Sequence, residues 1–429
     1  MTALVAAERG ANVLLLEKSV HRQCNTELSG GLVQAAGTRF QMELQIHDDP
    51  TVMMQDILSI NGGCCDYDVL AEICRRSADV VHFLADVVGL ELHLDTSVLY
   101  KGHANFRMHS TKGELGQELV AGLRKAIRSH PRVTFVDDAR VSGLLTDKGE
   151  VLGVVAGDAR ERLGGGATVL SCDGFGGNQD LVLANLPSIS GAVYIGSENN
   201  TGDGIVWGRA VSAAVDRMTA YQAHSHVNPQ YGTRLGGSLP SLGSIIVNKK
   251  GARFAAEDQG YSQFAAPLLA QPEGVGVEIF DQRAFDAVWQ TGSFRQAYEV
   301  GAVRRAATVE ELAGLFGLPV ESLSEEIDTY NASAVEGKDR FGRTDALRPI
   351  AAPFYGSVVT GALVHTQGGL RIDPTCRVLR DDHSHITGLY AAGGTAAGIS
   401  GDGPDGYMSG NGLIQAFATG LIAGEQITS

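Results

Sequence analysis

Apolar residues fall in short runs that alternate between helical spacing and continuous, strand-like stretches. Residues 2–9 are rich in alanine and predict a helix that ends at Gly10. The next apolar run, 13–16, predicts a buried parallel strand, and Glu17 follows it directly. Residues 50–90 and 113–130 then show apolar positions at helical spacing, which predicts further helices.

In the middle and at the end of the chain, the spacing of apolar residues changes several times between helix-like and strand-like. Residues 133–156 predict a strand, a turn and a hairpin with Lys148 and Gly149 at its tip. Residues 308–339 predict two consecutive helices, and 386–394 predict a strand that runs into a glycine turn. Residues 410–427 predict a closing helix.

The pattern indicates an α/β protein with an insertion. Between 219 and 353 the apolar runs shorten and the polar loops lengthen, whereas glycine-rich α/β character returns after 353. A domain interrupted by an insertion has its halves at the two ends of the chain. We therefore predict one domain from 1–218 and 354–429, interrupted by an α+β capping domain at 219–353.

Composition narrows the class of protein. The formal charge of −15 argues against a nucleic-acid partner, since phosphate binding needs a basic surface. No apolar run approaches the ~18 residues of a membrane span. Glu8 and Arg9 interrupt the first apolar segment, so we predict no signal peptide and a cytoplasmic protein. The six cysteines follow no metal-binding spacing, and we predict that they are reduced.

The helix and strand predicted for residues 2–16 give the first indication of a binding site. Helix, glycine, strand and acid form the second half of a dinucleotide-binding βαβ unit, in which the acid binds a ribose. A GxGxxG turn belongs about 20 residues upstream of that acid. Only sixteen residues precede Glu17, and none of them makes such a turn.

Four further stretches place small residues where a backbone can approach a phosphate or a flat ring. Each is a weak signal alone, but their order along the chain is informative. They are LSGG (28–31), NTGDG (200–204), GLYAAGG (388–394) and SGNGL (409–413), and the last begins the closing helix.

In this order the chain resembles the FAD-binding flavoproteins of the fumarate reductase/succinate dehydrogenase superfamily. The segments LLLEKS, ATVLSCDGFGGN, NTGDGI, IIVNKKGARFAAE, HTQGGLRID and GLYAAGG look like family landmarks in family order. The resemblance implies a Rossmann-like FAD-binding domain interrupted by a capping domain. It also implies that the first strand and GxGxxG turn precede this chain. We therefore expect an N-terminal truncation and weak FAD binding, or none, by the chain as written, and a truncated, non-catalytic remnant stays an alternative.

The resemblance also implies the cofactor contacts. Asn25 lies where some family members carry the histidine that attaches the flavin, so we expect FAD to be bound non-covalently. The implied cofactor-binding residues are Glu17, Lys18, Asn25, Thr26, Ser29, Gly30, Gly31, Val141, Asp203, Gly393, Gly394, Asn411, Gly412 and Leu413.

Two tyrosines separate this chain from the fumarate reductases. Family arginines that transfer a proton and bind a carboxylate correspond here to Tyr261 and Tyr407. This pattern resembles the 3-ketosteroid dehydrogenases, in which one tyrosine accepts a proton and a Tyr-x-Ser pair, here Tyr407 and Ser409, holds the ketone. We expect an FAD-dependent oxidoreductase acting on a C–C bond conjugated to a carbonyl, with an external electron donor or acceptor.

Retained histidines keep a second activity open. His224 and His365 look like the family's substrate-binding histidines, and His226 and Arg234 are polar candidates that we place on a loop of the capping domain. A fumarate- or urocanate-type reductase that uses the histidines and Arg234 is the alternative.

Overall fold

The computed structural model describes all 429 residues and contains fourteen α-helices and nineteen β-strands. The helices are α1 (Thr2–Glu8), α2 (Asn25–Leu28), α3 (Arg39–Glu43), α4 (Pro50–Asn61), α5 (Tyr67–Asp86), α6 (Gly116–Ser129), α7 (Gln179–Asn185), α8 (Asp203–Ala210), α9 (Ala265–Leu269), α10 (Gln282–Val288), α11 (Gly292–Glu299), α12 (Val309–Phe316), α13 (Val320–Glu336) and α14 (Asn411–Gln426).

The strands are β1 (Val13–Leu16), β2 (Val33–Gln34), β3 (Leu92–Leu94), β4 (Met108–Thr111), β5 (Val133–Val136), β6 (Val141–Asp147), β7 (Glu150–Ala156), β8 (Glu161–Gly164), β9 (Thr168–Leu170), β10 (Val193–Tyr194), β11 (Val215–Asp216), β12 (Tyr221–Val227), β13 (Ile245–Val247), β14 (Val275–Asp281), β15 (Arg304–Ala306), β16 (Phe354–Thr366), β17 (Gly369–Leu370), β18 (Arg377–Leu379) and β19 (His385–Ala391).

The chain divides into two compact units. The first unit comprises Met1–Pro187, Gly196–Tyr221 and His365–Ser429, and the second comprises Ser188–Ile195 and Gln222–Val364. The long insertion of the second unit thus begins after 221 and ends at 364, whereas the sequence placed the boundaries after 218 and 353. The α/β class predicted from the sequence is confirmed.

The first unit combines small sheets with helices. Strands β1 and β5 pair in parallel, β9 pairs in parallel with β19, and β6, β7 and β8 form an antiparallel meander. The closing helix α14 packs against α1, where Gly424 allows close approach because a Cβ there would lie 2.7 Å from Val5 Cβ. The predicted hairpin tip is present, with positive φ at Lys148 (48°) and Gly149 (85°).

One expectation about the first strand is wrong. We predicted a buried β1, but none of its four residues is fully buried and Leu14 is 47 % exposed. The cause is the sheet itself, since β1 belongs to a two-stranded sheet and pairs only with β5. An apolar run therefore indicated the strand and its parallel pairing, but not its burial.

The second unit is built on a six-stranded sheet. The order is β10-β16-β14-β13, and β12 and β15 also pair with β16. Two apolar clusters of this unit include Phe264, Phe280 and Phe294 in one and Ile279, Leu323 and Tyr330 in the other. The long strand β16 therefore organises the unit, because four strands pair with it.

No helix of the chain has the length and the hydropathy that crossing a bilayer requires.

Candidate active site

A buried ion network fixes the turn that precedes Tyr261. The 3-10 turn Glu257–Gln259 ends at Gly260, whose φ of 111° favours glycine. The Glu257 carboxylate accepts hydrogen bonds from Arg253 Nε (2.8 Å) and Nη2 (2.6 Å) and from Arg343 Nη1 (3.2 Å). All three side chains are at most 1 % exposed. The network thus holds the backbone that carries Tyr261.

Strand β12 forms the surroundings of Tyr261. The Tyr261 carbonyl accepts a hydrogen bond from Ser225 N–H at 3.0 Å. The phenol ring stacks on His224, with centroids 4.9 Å apart and planes 30° apart, and Gln222 Nε2 donates to the phenol oxygen at 3.4 Å. Gly237 leaves room for the ring, since a Cβ there would lie 2.3 Å from Tyr261 Cδ1. The structure therefore brings the predicted Tyr261 and His224 into contact.

His224 is a neutral hydrogen-bond donor. Its Nδ1 accepts the main-chain N–H of His226 at 3.1 Å, so the proton of the neutral ring is on Nε2. Burial lowers the pKa of His224 well below its ordinary value of 6.5, and the charges of His226 and Arg234 lower it further. An Nε2–H group next to a phenol suits a substrate carbonyl oxygen.

His226 and Glu278 form a buried pair beside His224. His226 Nδ1 lies 2.7 Å from Glu278 Oε2, and Ser244 Oγ donates to Glu278 Oε1 at 2.7 Å. The two paired side chains are at most 1 % exposed, and His226 Nε2 has no hydrogen-bond partner. Our loop placement of His226 is wrong, since the residue lies within β12.

The sequence analysis missed Glu278. Its signal is an acid in the middle of the apolar strand β14, where a charge needs a partner. Ser244 and Gln222 were also missed, and neither carries a distinctive sequence signal.

Arg234 lies on the chain segment that returns antiparallel to β12. It forms an isolated bridge with Val227, and Leu235 N–H donates to His226 O at 2.9 Å. Its side chain is partly buried and forms no hydrogen bond or ion pair in the structure. Burial lowers the pKa of the guanidinium from its ordinary value, opposed by Tyr261.

The first unit holds the other predicted site residues. The ring of Tyr407 meets His365 edge-on, with centroids 5.7 Å apart, and Tyr407 is 7 % exposed. His365 Nδ1 lies 3.1 Å from Gln367 Nε2, and burial lowers the pKa of His365. The Ser409 carbonyl lies 3.1 Å from His103 Nε2, so His103 supports the Tyr-x-Ser segment.

Lys18 and Asp203, both predicted cofactor contacts, bind one another. Lys18 Nζ donates to Asp203 Oδ2 (2.9 Å), to Thr201 Oγ1 (2.9 Å) and to Asn199 O (2.7 Å). All three ammonium N–H groups are therefore committed to the turn that leads into α8. Glu17 accepts from Ser19 N–H through Oε1 alone at 2.9 Å, so its second oxygen is available to a ribose hydroxyl.

The remaining predicted cofactor residues of the N-terminal half shape two turns. Asn25 Oδ1 accepts Ser197 N–H at 2.8 Å, and Ser29 Oγ bonds both Thr26 O (2.7 Å) and Gly31 N–H (3.1 Å). A Cβ at Gly30 would meet nothing within 4 Å, whereas one at Gly31 would lie 2.9 Å from main chain. Val141 begins β6.

The start of α14 presents main-chain donors. Gly410 is its N-cap in a left-handed conformation (φ 88°), and no side chain caps the helix. The N–H groups of Gly412 and Leu413, in the first turn, have no hydrogen-bond partner in the structure. The Asn411 side chain is committed elsewhere, since Gln34 Nε2 donates to its Oδ1 at 2.7 Å. Gln34 Oε1 is left buried and unpartnered.

The glycines that follow β19 complete the turn region of the first unit. Gly393 begins a 3-10 turn with φ 63°, and a Cβ at Gly394 would lie 2.2 Å from Asp173 Oδ1. Gln415 of α14 holds this turn by donating to Gly393 O at 3.3 Å.

These residues fit FAD. A free carboxylate oxygen after β1 suits a ribose, and glycine turns leave space for backbone to approach the cofactor. Free N–H groups at the positive end of α14 suit the pyrimidine edge of a flavin, which is negative when reduced. The fold and this set of groups define an FAD-binding flavoprotein.

Comparison with known proteins gives the family. The FAD binding domain family matches residues 1–412, so the chain belongs to this family. A probable fumarate reductase of Shewanella frigidimarina (strain NCIMB 400) is 27 % identical over 431 residues, which cover 99 % of this chain and 72 % of the relative.

Two solved structures are similar over the whole chain. The open conformation of a flavocytochrome c3 fumarate reductase has a TM-score of 0.83 at 26 % identity, with 75 % of that chain covered. The 3-ketosteroid-Δ4-(5α)-dehydrogenase of Rhodococcus jostii RHA1, in complex with 4-androstene-3,17-dione, has a TM-score of 0.76 at 25 % identity, with 94 % of that chain covered. The protein is an FAD-dependent oxidoreductase related to both groups.

Proposed function

We propose that the protein dehydrogenates or reduces a C–C bond conjugated to a carbonyl group, with Tyr261 as the residue that exchanges the proton. The substrate class is an enone or 3-ketosteroid-like compound. The observation that carries this proposal is the stacking of Tyr261 on the neutral donor His224 at 4.9 Å. The relationship to the dehydrogenase acting on 3-ketosteroids supports the same chemistry.

Each residue has one task in this proposal. Bound FAD supplies hydride exchange with one carbon of the bond. As a phenolate, Tyr261 takes the proton from the adjacent carbon in dehydrogenation, and as a phenol it returns that proton in reduction. Tyr407 and Ser409 donate hydrogen bonds to the carbonyl oxygen, and so stabilise the negative charge that develops there as the proton leaves. Neutral donors suit a ketone, which offers no charge for a salt bridge.

The cofactor residues also have proposed tasks. The free oxygen of Glu17 accepts a ribose hydroxyl, and the N–H groups of Gly412 and Leu413 bind the flavin edge. Asn25 carries no covalent link, so FAD is dissociable. Electrons pass to or from an external carrier.

The test is Tyr261→Phe in the FAD-loaded protein. We expect turnover of 4-androstene-3,17-dione or 2-cyclohexen-1-one to fall about 10²- to 10⁴-fold, because the variant lacks the acid–base hydroxyl. The affinity for FAD, measured by flavin titration, should be unchanged. Tyr231→Phe is the matched control, since Tyr231 lies in the same unit with 44 % exposure and should retain full turnover. Turnover retained by Tyr261→Phe would refute the role.

Reduction of an unsaturated carboxylate, as in a fumarate- or urocanate-type enzyme, is the second candidate. The observation that favours it is the cation Arg234, which pairs with Val227 at the end of the strand that carries His224 and whose charge lowers the pKa of His224. Reduction of acrylate or crotonate by a reduced viologen dye, with neutral enones inert, would favour this candidate over the first.

A further inference from the structure

Asp173 carries a carboxylate to which the proposed function gives no task. The residue lies in the turn after β9, and its φ of 60° is left-handed, a conformation that residues other than glycine rarely adopt. Thr395 Oγ1 donates to the Asp173 carbonyl oxygen at 3.0 Å and so fixes the main chain of this turn. A glycine would adopt the same conformation with less strain. An outlier of this kind therefore points to a function of the side chain rather than to the needs of the backbone.

The turn that carries Asp173 lies at the carboxyl end of a parallel strand pair. Strands β9 and β19 run in parallel, with Leu170 opposite Ala391, so the turns that follow the two strands lie side by side. In doubly wound α/β folds, ligands bind outside the carboxyl ends of such strands. A Cβ at Gly394, in the second turn, would lie 2.2 Å from Asp173 Oδ1. The carboxylate therefore lies directly against a glycine turn that the sequence predicts to bind the cofactor.

The Asp173 carboxylate can accept more hydrogen bonds than it does in the structure. Its Oδ1 accepts Gly174 N–H at 2.7 Å, and its Oδ2 accepts from Asn200 Nδ2 at 2.9 Å. A carboxylate offers about four lone-pair sites, so about two of them remain. Because Asp173 is only partly buried, a ligand can reach its oxygens, and the two bonds from the protein hold them in place.

Asp173 lies between the groups to which opposite ends of FAD are assigned above. On one side, Asn200 belongs to the turn that is bound by Lys18, the neighbour of the ribose-binding candidate Glu17. On the other side, Gln415 of α14, whose first turn is the candidate site for the flavin edge, holds the glycine turn by a hydrogen bond. The part of the cofactor that joins the ribose to the flavin ring therefore has to pass this region.

We propose that Asp173 is a cofactor-binding residue whose carboxylate accepts hydrogen bonds from the hydroxyl groups of the ribityl chain of FAD. Between its ribose and its flavin ring, FAD has an anionic pyrophosphate and this chain of hydroxyl groups. A carboxylate repels the first and is a strong acceptor for the second. The proposal rests on the tasks proposed for Glu17 and for the start of α14, and it is independent of the substrate and of Tyr261.

The experiment measures cofactor affinity without turnover. FAD, and an analogue in which an unsubstituted alkyl chain replaces the ribityl chain, are titrated into the full chain freed of flavin, and flavin fluorescence reports binding. We expect the native protein to bind FAD about 10- to 100-fold more tightly than the analogue, as expected for hydrogen bonds to a charged acceptor. Asp173→Asn and Asp173→Gly should lose most of this preference, and both residues tolerate the left-handed turn. Asp158→Asn, at an exposed turn of the same unit, is the control and should keep the preference.

Two results would overturn the proposal. The first is equal affinity of the native protein for FAD and the analogue, or no binding of either. The second is a preference for FAD that survives in both Asp173 variants, because a residue that only shapes the turn would weaken the binding of FAD and of the analogue by the same factor. Failure of the proposed function is separable, since it is measured as turnover retained by Tyr261→Phe, whereas these titrations contain no substrate.

Discussion

Replacing Glu257 by glutamine tests the ion network that supports the Tyr261 turn. Beside its three bonds from arginines, the Glu257 carboxylate accepts Ile246 N–H at 3.1 Å. Arg253 also donates to Asp339 at 2.6 Å. The two arginines and two acids balance in charge, so Glu257→Gln leaves one uncompensated positive charge in a region that is at most 1 % exposed.

The expected destabilisation by Glu257→Gln follows from that burial. Removing one partner of a buried ion pair costs about 3–5 kcal/mol, because the remaining charge keeps its desolvation cost. Glu273→Gln is the control, since Glu273 pairs with Lys249 on the surface and is 67 % exposed. Loss of that exposed pair should cost about 0–1 kcal/mol.

The assay follows urea unfolding of the second unit alone. The chain has two tryptophans, Trp207 in the first unit and Trp289 in the second. In a Trp207→Phe background the fluorescence of Trp289, which stacks on Phe285 at 5.3 Å, reports the second unit. If Glu257→Gln and Glu273→Gln lowered the free energy of unfolding by the same amount, the reasoning would be refuted.

Two further predictions concern glycine positions and buried histidines. Gly116→Ala should destabilise the protein by at least about 2 kcal/mol and weaken FAD binding, measured by thermal unfolding and flavin titration, because the new Cβ would lie 1.7 Å from Thr26 O. Gly314→Ala, in a helix with nothing within 4 Å, should instead stabilise by about 0.5–1 kcal/mol. Burial lowers the pKa of His103 and His109 from 6.5 to about 4, so the unfolded chain binds these protons first as pH falls. The free energy of unfolding should therefore drop by about 1.6 kcal/mol per histidine from pH 6.5 to 5. In His109→Gln the free energy of unfolding, measured with urea at several pH values, should depend less on pH across that range.

Individual helices and hairpins could be predicted from the sequence, because each depends on residues that are close together in the chain. The period of apolar residues predicted α12 and α13, and the Lys148–Gly149 tip predicted the hairpin of β6 and β7. The burial of β1 was not readable, because burial depends on how many strands pair with it. Long-range pairings, such as β12 with β16, leave no signal in either strand alone.

The candidate site could be predicted only in part, because its contacts also join residues that are distant in the chain. Resemblance selected Tyr261 and His224, yet their contact depends on a main-chain bond between Ser225 and Tyr261. Glu278 was missed because a single acid in an apolar strand does not reveal which residue pairs with it. The commitment of Glu278 to His226 and Ser244 is likewise a property of the fold, because it depends on three segments that are distant in the sequence.

Exchange of a substrate proton with solvent tests the central claim most directly. A saturated ketone, cyclohexanone or 5α-androstane-3,17-dione, is incubated in D2O with the oxidised holoenzyme, and NMR follows deuterium at the carbon next to the carbonyl. The account predicts exchange faster than in buffer for the native protein, and exchange at the buffer rate for Tyr261→Phe with FAD still bound. Equal exchange by the native protein and Tyr261→Phe would contradict the assignment of Tyr261 as the proton-exchanging group.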